Sequence, residues 1–392
     1  VSQATQGRQV AFTATLALSM GIGPFAVNAI SVLAPRVVPE LGLTRAELGT
    51  LPTLTFAVAG AVSFLVGARA TRAGGRRVLL AVFLAGALAV TAMMGARSLP
   101  WLWVGALLGG LSQAVSIPVT NQLVAELSPP GRRGVPTGVK QSGVQMVQTL
   151  VALTLPPLAV WVGWRGSLWV GVVLAALGAV AVWRVIPPGS LRGPPRPRGH
   201  REALDPGVWW LTGYILVLGL TVQAVLVYTP LYAHEQVGLG PTVAGFSTGV
   251  LAVTGIAARI VWSRAVERSA RPARMLLAFA IVAALGVGLI LTAEQGTPVM
   301  LWLGLILFGG SAIAVNAVIM MLVIKRSPEG STGRASGIVS LGLYAGFMLG
   351  PLGFGSTVDA TGSYAVGWGA VVACCLAGAA LAGAWMFQER TR

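Results

Sequence analysis

The chain has 392 residues with a mean hydropathy of +0.79, and only 10% are charged, against roughly 25% in an ordinary soluble domain. This composition excludes a soluble globular protein, a disordered chain and a collagen-like one. A net charge of +16 would suit a nucleic-acid binder if the cations clustered, but here they punctuate apolar runs at intervals, which is the pattern of membrane topology.

Apolar runs fall near residues 10–35, 46–68, 78–96, 101–125, 134–161, 166–186, 208–232, 242–263, 274–292, 298–324, 334–357 and 364–387. Crossing a bilayer takes roughly 20 apolar residues, so an all-α membrane protein of twelve spans is predicted. Pro24, Pro118 and Pro156 are its expected kink points. The first run follows Arg8 and is too long for a signal-peptide core, so it is expected to remain as a span. Glycine, at 52 residues, is well above its usual share of about 7%, and suits helices packed through small residues in lipid. Between the sixth and seventh runs, residues 187–206 have the proline and arginine content of a hydrated linker. Two bundles are therefore expected, 1–186 and 207–392, joined by that segment.

Cations resist translocation and accumulate in cytoplasmic loops. With the N-terminus inside, the predicted outer segments hold only Arg36, Arg45, Arg97 and Arg165, while Lys140 and Arg259 lie within spans and every other Lys or Arg is inner. Both termini are then expected in the cytoplasm, with the chain multi-pass in the cytoplasmic membrane. Trp101, Trp103, Trp161 and Trp164 fall at predicted outer ends and Trp183, Trp209, Trp210 and Trp262 at inner ends, where indoles anchor helices at the interface. Neither lysine follows a phosphate-binding glycine loop, and His200 and His234 stand alone, so nucleotide-driven pumping and a zinc site are not expected. Cys374 and Cys375 are adjacent, a spacing that makes no metal or redox motif, and read as small packing or lipid-facing residues.

The two halves repeat each other. Asn28-Ala-Ile-Ser-Val-Leu-Ala-Pro35 aligns with Gln223-Ala-Val-Leu-Val-Tyr-Thr-Pro230, Gly67 to Arg72 with Ser263 to Arg268, Gly109-Gly110 with Gly309-Gly310, and Gly138 to Gly143 with Gly337 to Gly342. Nearly constant offsets across four registrations imply two six-span bundles related by a pseudo-twofold axis, with solute bound between them. At this point the chain resembles the major facilitator superfamily along essentially its whole length. Gly67-Ala-Arg-Ala-Thr71-Arg72-Ala-Gly74-Gly-Arg76-Arg77 looks like the family's G-x-x-x-D-R-x-G-x-R-R loop, with Thr71 where the family usually has aspartate, and Glu267-Arg268 stands at the equivalent place in the second half. The resemblance implies that this loop locks inner helix ends during the transport swing, and that Arg259 supports it. Trp164-Arg165 and Gly346 to Gly350-Pro351 are further family features.

An ionisable residue at membrane depth costs about 2.5–3.5 kcal/mol even on the mildest scale, so it is a functional candidate by default. Lys140 lies about six residues into the fifth span, and on a helical wheel Lys140, Gln141, Gln145 and Gln148 share an arc of about 140°. In the family fold that span lines the central cavity, which implies an anionic solute attracted by the lysine and hydrogen-bonded by the amides. The alternative is a packing lysine that snorkels to the inner surface. Asn28, Gln113, Asn121, Gln223, Tyr228, Asn316, Ser340 and Tyr344 also lie at helical depth, as solute ligands or as interhelical glue.

No carboxylate falls deep in a span, although proton antiport of cationic drugs normally uses one. The drug-antiporter signature also expects an arginine where this chain has Gly105. The expectation is a secondary transporter of a small organic or inorganic anion working by alternating access, with a proton or counter-anion as coupling partner. Hydrophobic-drug efflux is the alternative, and a transporter-like sensor a third. No enzyme constellation gathers at helical spacing. No cofactor, metal or nucleic-acid partner is expected, and the protein should act as a monomer in the bilayer.

Overall fold

The computed structural model describes residues 3–66, 74–128, 134–191, 205–269, 271–295, 297–326 and 332–390. They fold into α1 (Gln3–Val32), α2 (Ala34–Leu41), α3 (Arg45–Val66), α4 (Gly75–Met94), α5 (Leu99–Leu127), α6 (Gly134–Ser167), α7 (Trp169–Val185), α8 (Gly207–Glu235), α9 (Pro241–Arg268), α10 (Pro272–Thr292), α11 (Pro298–Ser311), α12 (Val315–Arg326), α13 (Thr332–Thr361) and α14 (Tyr364–Arg390). No strand occurs among the described residues. A tight 3-10 turn at Ala312–Ala314 breaks one pass into α11 and α12. Ten spans are long and apolar enough to cross a membrane, α7 is a shorter apolar helix, and α3 has 22 residues, which completes twelve passes.

Proline in the first turn starts α5, α9, α10 and α11, where the missing N–H would have had no helical partner. The start of α3 is a reciprocal cap. The Thr44 N–H donates to Glu47 Oε2 at 2.8 Å and the Glu47 N–H donates to Thr44 Oγ1 at 3.1 Å.

The chain packs as two units, Val1–Leu41 with Leu54–Arg196, and Gly42–Thr53 with Pro197–Arg392, so that α3 begins in the second unit and ends in the first. In the first unit α1 lies against α4, α5, α6 and α7, and α4 pairs with α5 and α7. In the second, α8 lies against α9, α13 and α14, and α10 pairs with α11 and α14. At Gly143 of α6 the two backbones come so close that any Cβ would collide with the Ala17 backbone of α1. Small residues thus let two backbones touch in lipid, where dispersion between close surfaces replaces the hydrophobic effect.

Each unit ties its predicted outer end with charge. In the first, Glu40 of α2 accepts the Trp164 Nε1–H at 2.6 Å and is paired with Arg165, whose guanidinium also donates to the Ala96 carbonyl at 2.7 Å and stacks 4.2 Å from the Trp164 ring. The Arg165 hydrogen bond holds the Glu40 carboxyl below the usual glutamate range, against a partial desolvation that pulls the other way. Trp164, expected as an interfacial anchor, is instead 3% exposed, with its indole N–H bonded to the exposed Glu40 carboxylate. In the second unit, Asp359 of α13 accepts the Arg45 and Ala46 backbone N–H groups at 3.1 and 2.7 Å, placing a carboxylate on the positive end of α3. Arg45 pairs with Glu235 at 2.8 Å, and Tyr364 Oη–H donates to the same carboxylate at 2.8 Å. That hydrogen bond from the arginine to Glu235 raises the Arg45 pKa further above its ordinary value. Gly355 admits the arrangement, since a Cβ there would strike Tyr228 Oη and the Arg45 carbonyl.

Candidate functional site

The first unit holds a buried polar seam on α1, α5 and α6. It begins with a fault in α5. Pro118 has no N–H to give to the carbonyl of Ala114, four residues back, and Ser63 Oγ of α3 donates to that oxygen at 2.8 Å instead. Around the fault, hydroxyls stitch α5 to its neighbours. Ser112 Oγ donates to the Val82 carbonyl of α4 at 3.0 Å, and Ser116 Oγ lies 2.9 Å from the Ser19 carbonyl of α1.

Lys140 enters this seam from α6. Its side chain is 0% exposed, which is not the geometry of a lysine that snorkels to water. Nζ donates to Thr120 Oγ1 at 3.2 Å. The Thr120 hydroxyl has a single proton, and its shortest acceptor is the Ser116 carbonyl at 2.7 Å, so an oxygen lone pair is left to face the ammonium. Met20 Sδ of α1 lies 3.6 Å from the same oxygen. Lys140 belongs to neither the Arg45–Glu235 nor the Arg165–Glu40 ion pair. A buried ammonium with three N–H donors therefore meets one neutral acceptor.

The amides expected beside Lys140 divide. Gln145 and Gln148 are 8% and 3% exposed, whereas Gln141 is exposed. Gln113 is buried on α5, with Oε1 lacking a hydrogen-bond partner, while Asn121 on the same helix is exposed and Asn28 of α1 is half-buried.

In the second unit Gln223 is 4% exposed, Ser340 and Tyr344 are half-buried, and Asn316, just past the Ala312–Ala314 turn, has a buried Oδ1 without a partner. Tyr228 is fully buried, and its hydroxyl lies 2.5 Å from the Arg45 carbonyl and 2.9 Å from that of Pro351, so it is engaged in joining α8 to α3 and α13. Arg259 Nε donates to the Ile313 carbonyl at 3.2 Å, inside the 3-10 turn, and Trp262 Nε1 donates to the Gly310 carbonyl at 2.8 Å. These two bonds brace α9 against the break between α11 and α12.

Of the loop motif, Gly67, Thr71 and Arg72 lie outside the described residues. Gly74 has φ +87°, in the region that favours glycine, and precedes α4, whose Arg76 guanidinium sits 5.2 Å from the Trp183 ring. Glu267 and Arg268 end α9, and Arg268 is exposed. Gly350 abuts the Leu220 backbone of α8, with Pro351 buried beside it. Cys374 is half-buried and Cys375 buried in α14. No group of His, Cys, Asp or Glu able to hold a metal occurs among the described residues.

The sequence profile of the Major Facilitator Superfamily matches residues 16–351. The chain belongs to that superfamily. It is a multi-pass membrane transport protein and not an enzyme. It is 30% identical to the "Probable nitrate/nitrite transporter NarK2" of Mycobacterium tuberculosis over 374 residues, covering 90% of each chain. It is 26% identical to the "Nitrite extrusion protein" of Bacillus subtilis, over 93% of this chain and 91% of that one. Among solved structures, the nucleoside transporter NupG superposes with a TM-score of 0.77 at 11% identity, over 97% of this chain and 100% of the other, a likeness of fold alone.

Sequence reading missed Thr120, Ser63 and Ser116. A signal was available in Ser112, Ser116 and Thr120, spaced four apart across Pro118, because a helix that loses a backbone donor in lipid needs hydroxyls nearby.

Proposed function

We propose that this transporter carries a small inorganic oxyanion of the nitrate and nitrite class across the cytoplasmic membrane, with Lys140 as the group that attracts it. The observation that carries the reading is a fully buried ammonium whose partner is a neutral hydroxyl. A charge in hydrocarbon is costly unless compensated, and this one meets no carboxylate among the described residues. An arriving anion supplies the missing countercharge, and charge-assisted hydrogen bonds to the free N–H donors are about twice as strong as neutral ones. A cationic drug would meet repulsion at the same place. Two relatives that each match about nine-tenths of the chain are named for nitrate/nitrite transport and for nitrite extrusion. Buried Gln145 and Gln148, together with Gln113, are the amides proposed to share the anion's oxygens.

In this reading the two repeated halves alternate access to the solute, and both termini lie in the cytoplasm, where the cation-rich loops then fall. The test is uptake of nitrate and nitrite into proteoliposomes by the wild type, Lys140→Ala and Lys140→Arg. The alanine variant should lose most transport and the arginine variant should keep part of it. Full activity in Lys140→Ala would remove the lysine from the mechanism.

A further inference from the structure

We propose that Thr120 is a positioning residue for the anion site: its hydroxyl fixes the depth at which the Lys140 ammonium is presented, and so sets the affinity for the oxyanion. This rests on the reading of Lys140 given above, and adds a residue on a different helix.

The argument begins with the length of the lysine side chain. Four rotatable methylene bonds let an ammonium reach water from several positions on a helix, and an unanchored lysine near a membrane surface extends toward it. Lys140 does not, because Nζ is held by Thr120 Oγ1 at 3.2 Å and is fully covered. Thr120 in turn cannot rotate freely. A β-branched side chain has few χ1 choices in a helix, and its proton is committed to the Ser116 carbonyl at 2.7 Å. The oxygen lone pair is thereby aimed at the ammonium. The backbone beneath is fixed as well, since the carbonyl freed by Pro118 is taken by Ser63 at 2.8 Å and Ser116 Oγ reaches the Ser19 carbonyl of α1 at 2.9 Å. On the opposite side, the contact of Gly143 with the Ala17 backbone sets the separation of α6 from α1 one turn beyond Lys140. The lysine thus springs from one clamped helix and ends on a hydroxyl of another, leaving two N–H donors for a ligand.

The hydroxyl is also matched in strength to its task. A carboxylate at this position would satisfy the ammonium and compete with the anion. A methyl would leave the charge without its anchor, free to swing away. A neutral acceptor holds the ammonium but leaves its charge to be answered by the solute.

The experiment is nitrate uptake by the full-length chain in proteoliposomes, with KM and Vmax measured separately and Vmax normalised to folded, monodisperse transporter. Thr120→Val keeps the shape and removes the acceptor, and should raise KM about tenfold while Vmax per folded molecule stays near that of the wild type. Thr120→Ser keeps the acceptor and should restore the wild-type KM. A residue with only a structural role would instead lower the yield of folded protein and leave KM unchanged. Should Thr120→Val fail to accumulate, Thr120→Ala read on the same two constants takes its place. An unaltered KM in the valine or alanine variant, beside a Lys140→Ala variant that has lost transport, overturns the role of Thr120 and leaves the anion site standing. Full nitrate transport by Lys140→Ala, or none by the wild type, overturns both.

Discussion

Arg45 at the start of α3 and Lys140 within α6 are both cations on a helical scaffold, and the chain surrounds them differently. Arg45 sits among charged and polar partners that the protein supplies, although its buried Nε has no hydrogen-bond partner. Its guanidinium has the Glu235 carboxylate, that carboxylate also has Tyr364, the Arg45 N–H has Asp359, and the Arg45 carbonyl has Tyr228. Lys140 has a hydroxyl and an enclosing wall. A charge that the protein itself pairs with a carboxylate contributes to holding a shape. A charge buried at a cost and left short of partners is retained against stability, and the proposed transport of an anion would be a reason to retain it. The first is partly in contact with water, where such pairs contribute little, and the second is not.

That contrast makes opposite predictions for the two cations. Lys140→Met fills a similar volume without a charge, and should raise thermal stability by about 1–4 kcal/mol in detergent while abolishing nitrate uptake. A lower melting temperature in that variant would mean the lysine is structural, and would erase the distinction. At the Arg45 cluster every disruption should cost stability. Gly355→Ala drives a methyl into Tyr228 Oη and the Arg45 carbonyl, and is expected to destabilise by about 1–3 kcal/mol in a chemical or thermal melt. Asp359→Asn removes the charge from the α3 N-terminus but keeps an acceptor there, and should cost about 0.3–1 kcal/mol, read the same way.

A smaller effect follows from Glu40. Its folded-state pKa lies below the unfolded value, so its contribution is present above the unfolded pKa and is lost as pH falls through the folded one. A melting-temperature profile below about pH 4.5 should therefore drop more steeply for the wild type than for Glu40→Gln. Parallel profiles would show that the Glu40–Arg165 pair does not couple to folding.

The helical membrane fold was legible because it rests on a property summed along the chain, the run length of apolar residues. Lys140 was legible for a similar reason, since a charge within an apolar run stands out in one dimension. Its helical neighbours were less so. Gln141 falls on the arc computed for the site and yet is exposed, because the wheel knows angles about one axis and not which neighbouring helix covers each angle. Tyr228 looked like a ligand by depth, but the approach of α3 and α13 gives its hydroxyl two carbonyls to serve.

Chain order and composition were enough to specify a duplicated bundle of apolar helices containing one lysine without an acidic neighbour at helical spacing. Which atom would meet that lysine required the fold, because Thr120 lies twenty residues away on another helix, and the contact exists only where a proline fault, three hydroxyls and a glycine bring α1, α5 and α6 together. Periodicity acts along one helix and is written in sequence. Close packing acts between helices and depends on side-chain volumes from all of them at once.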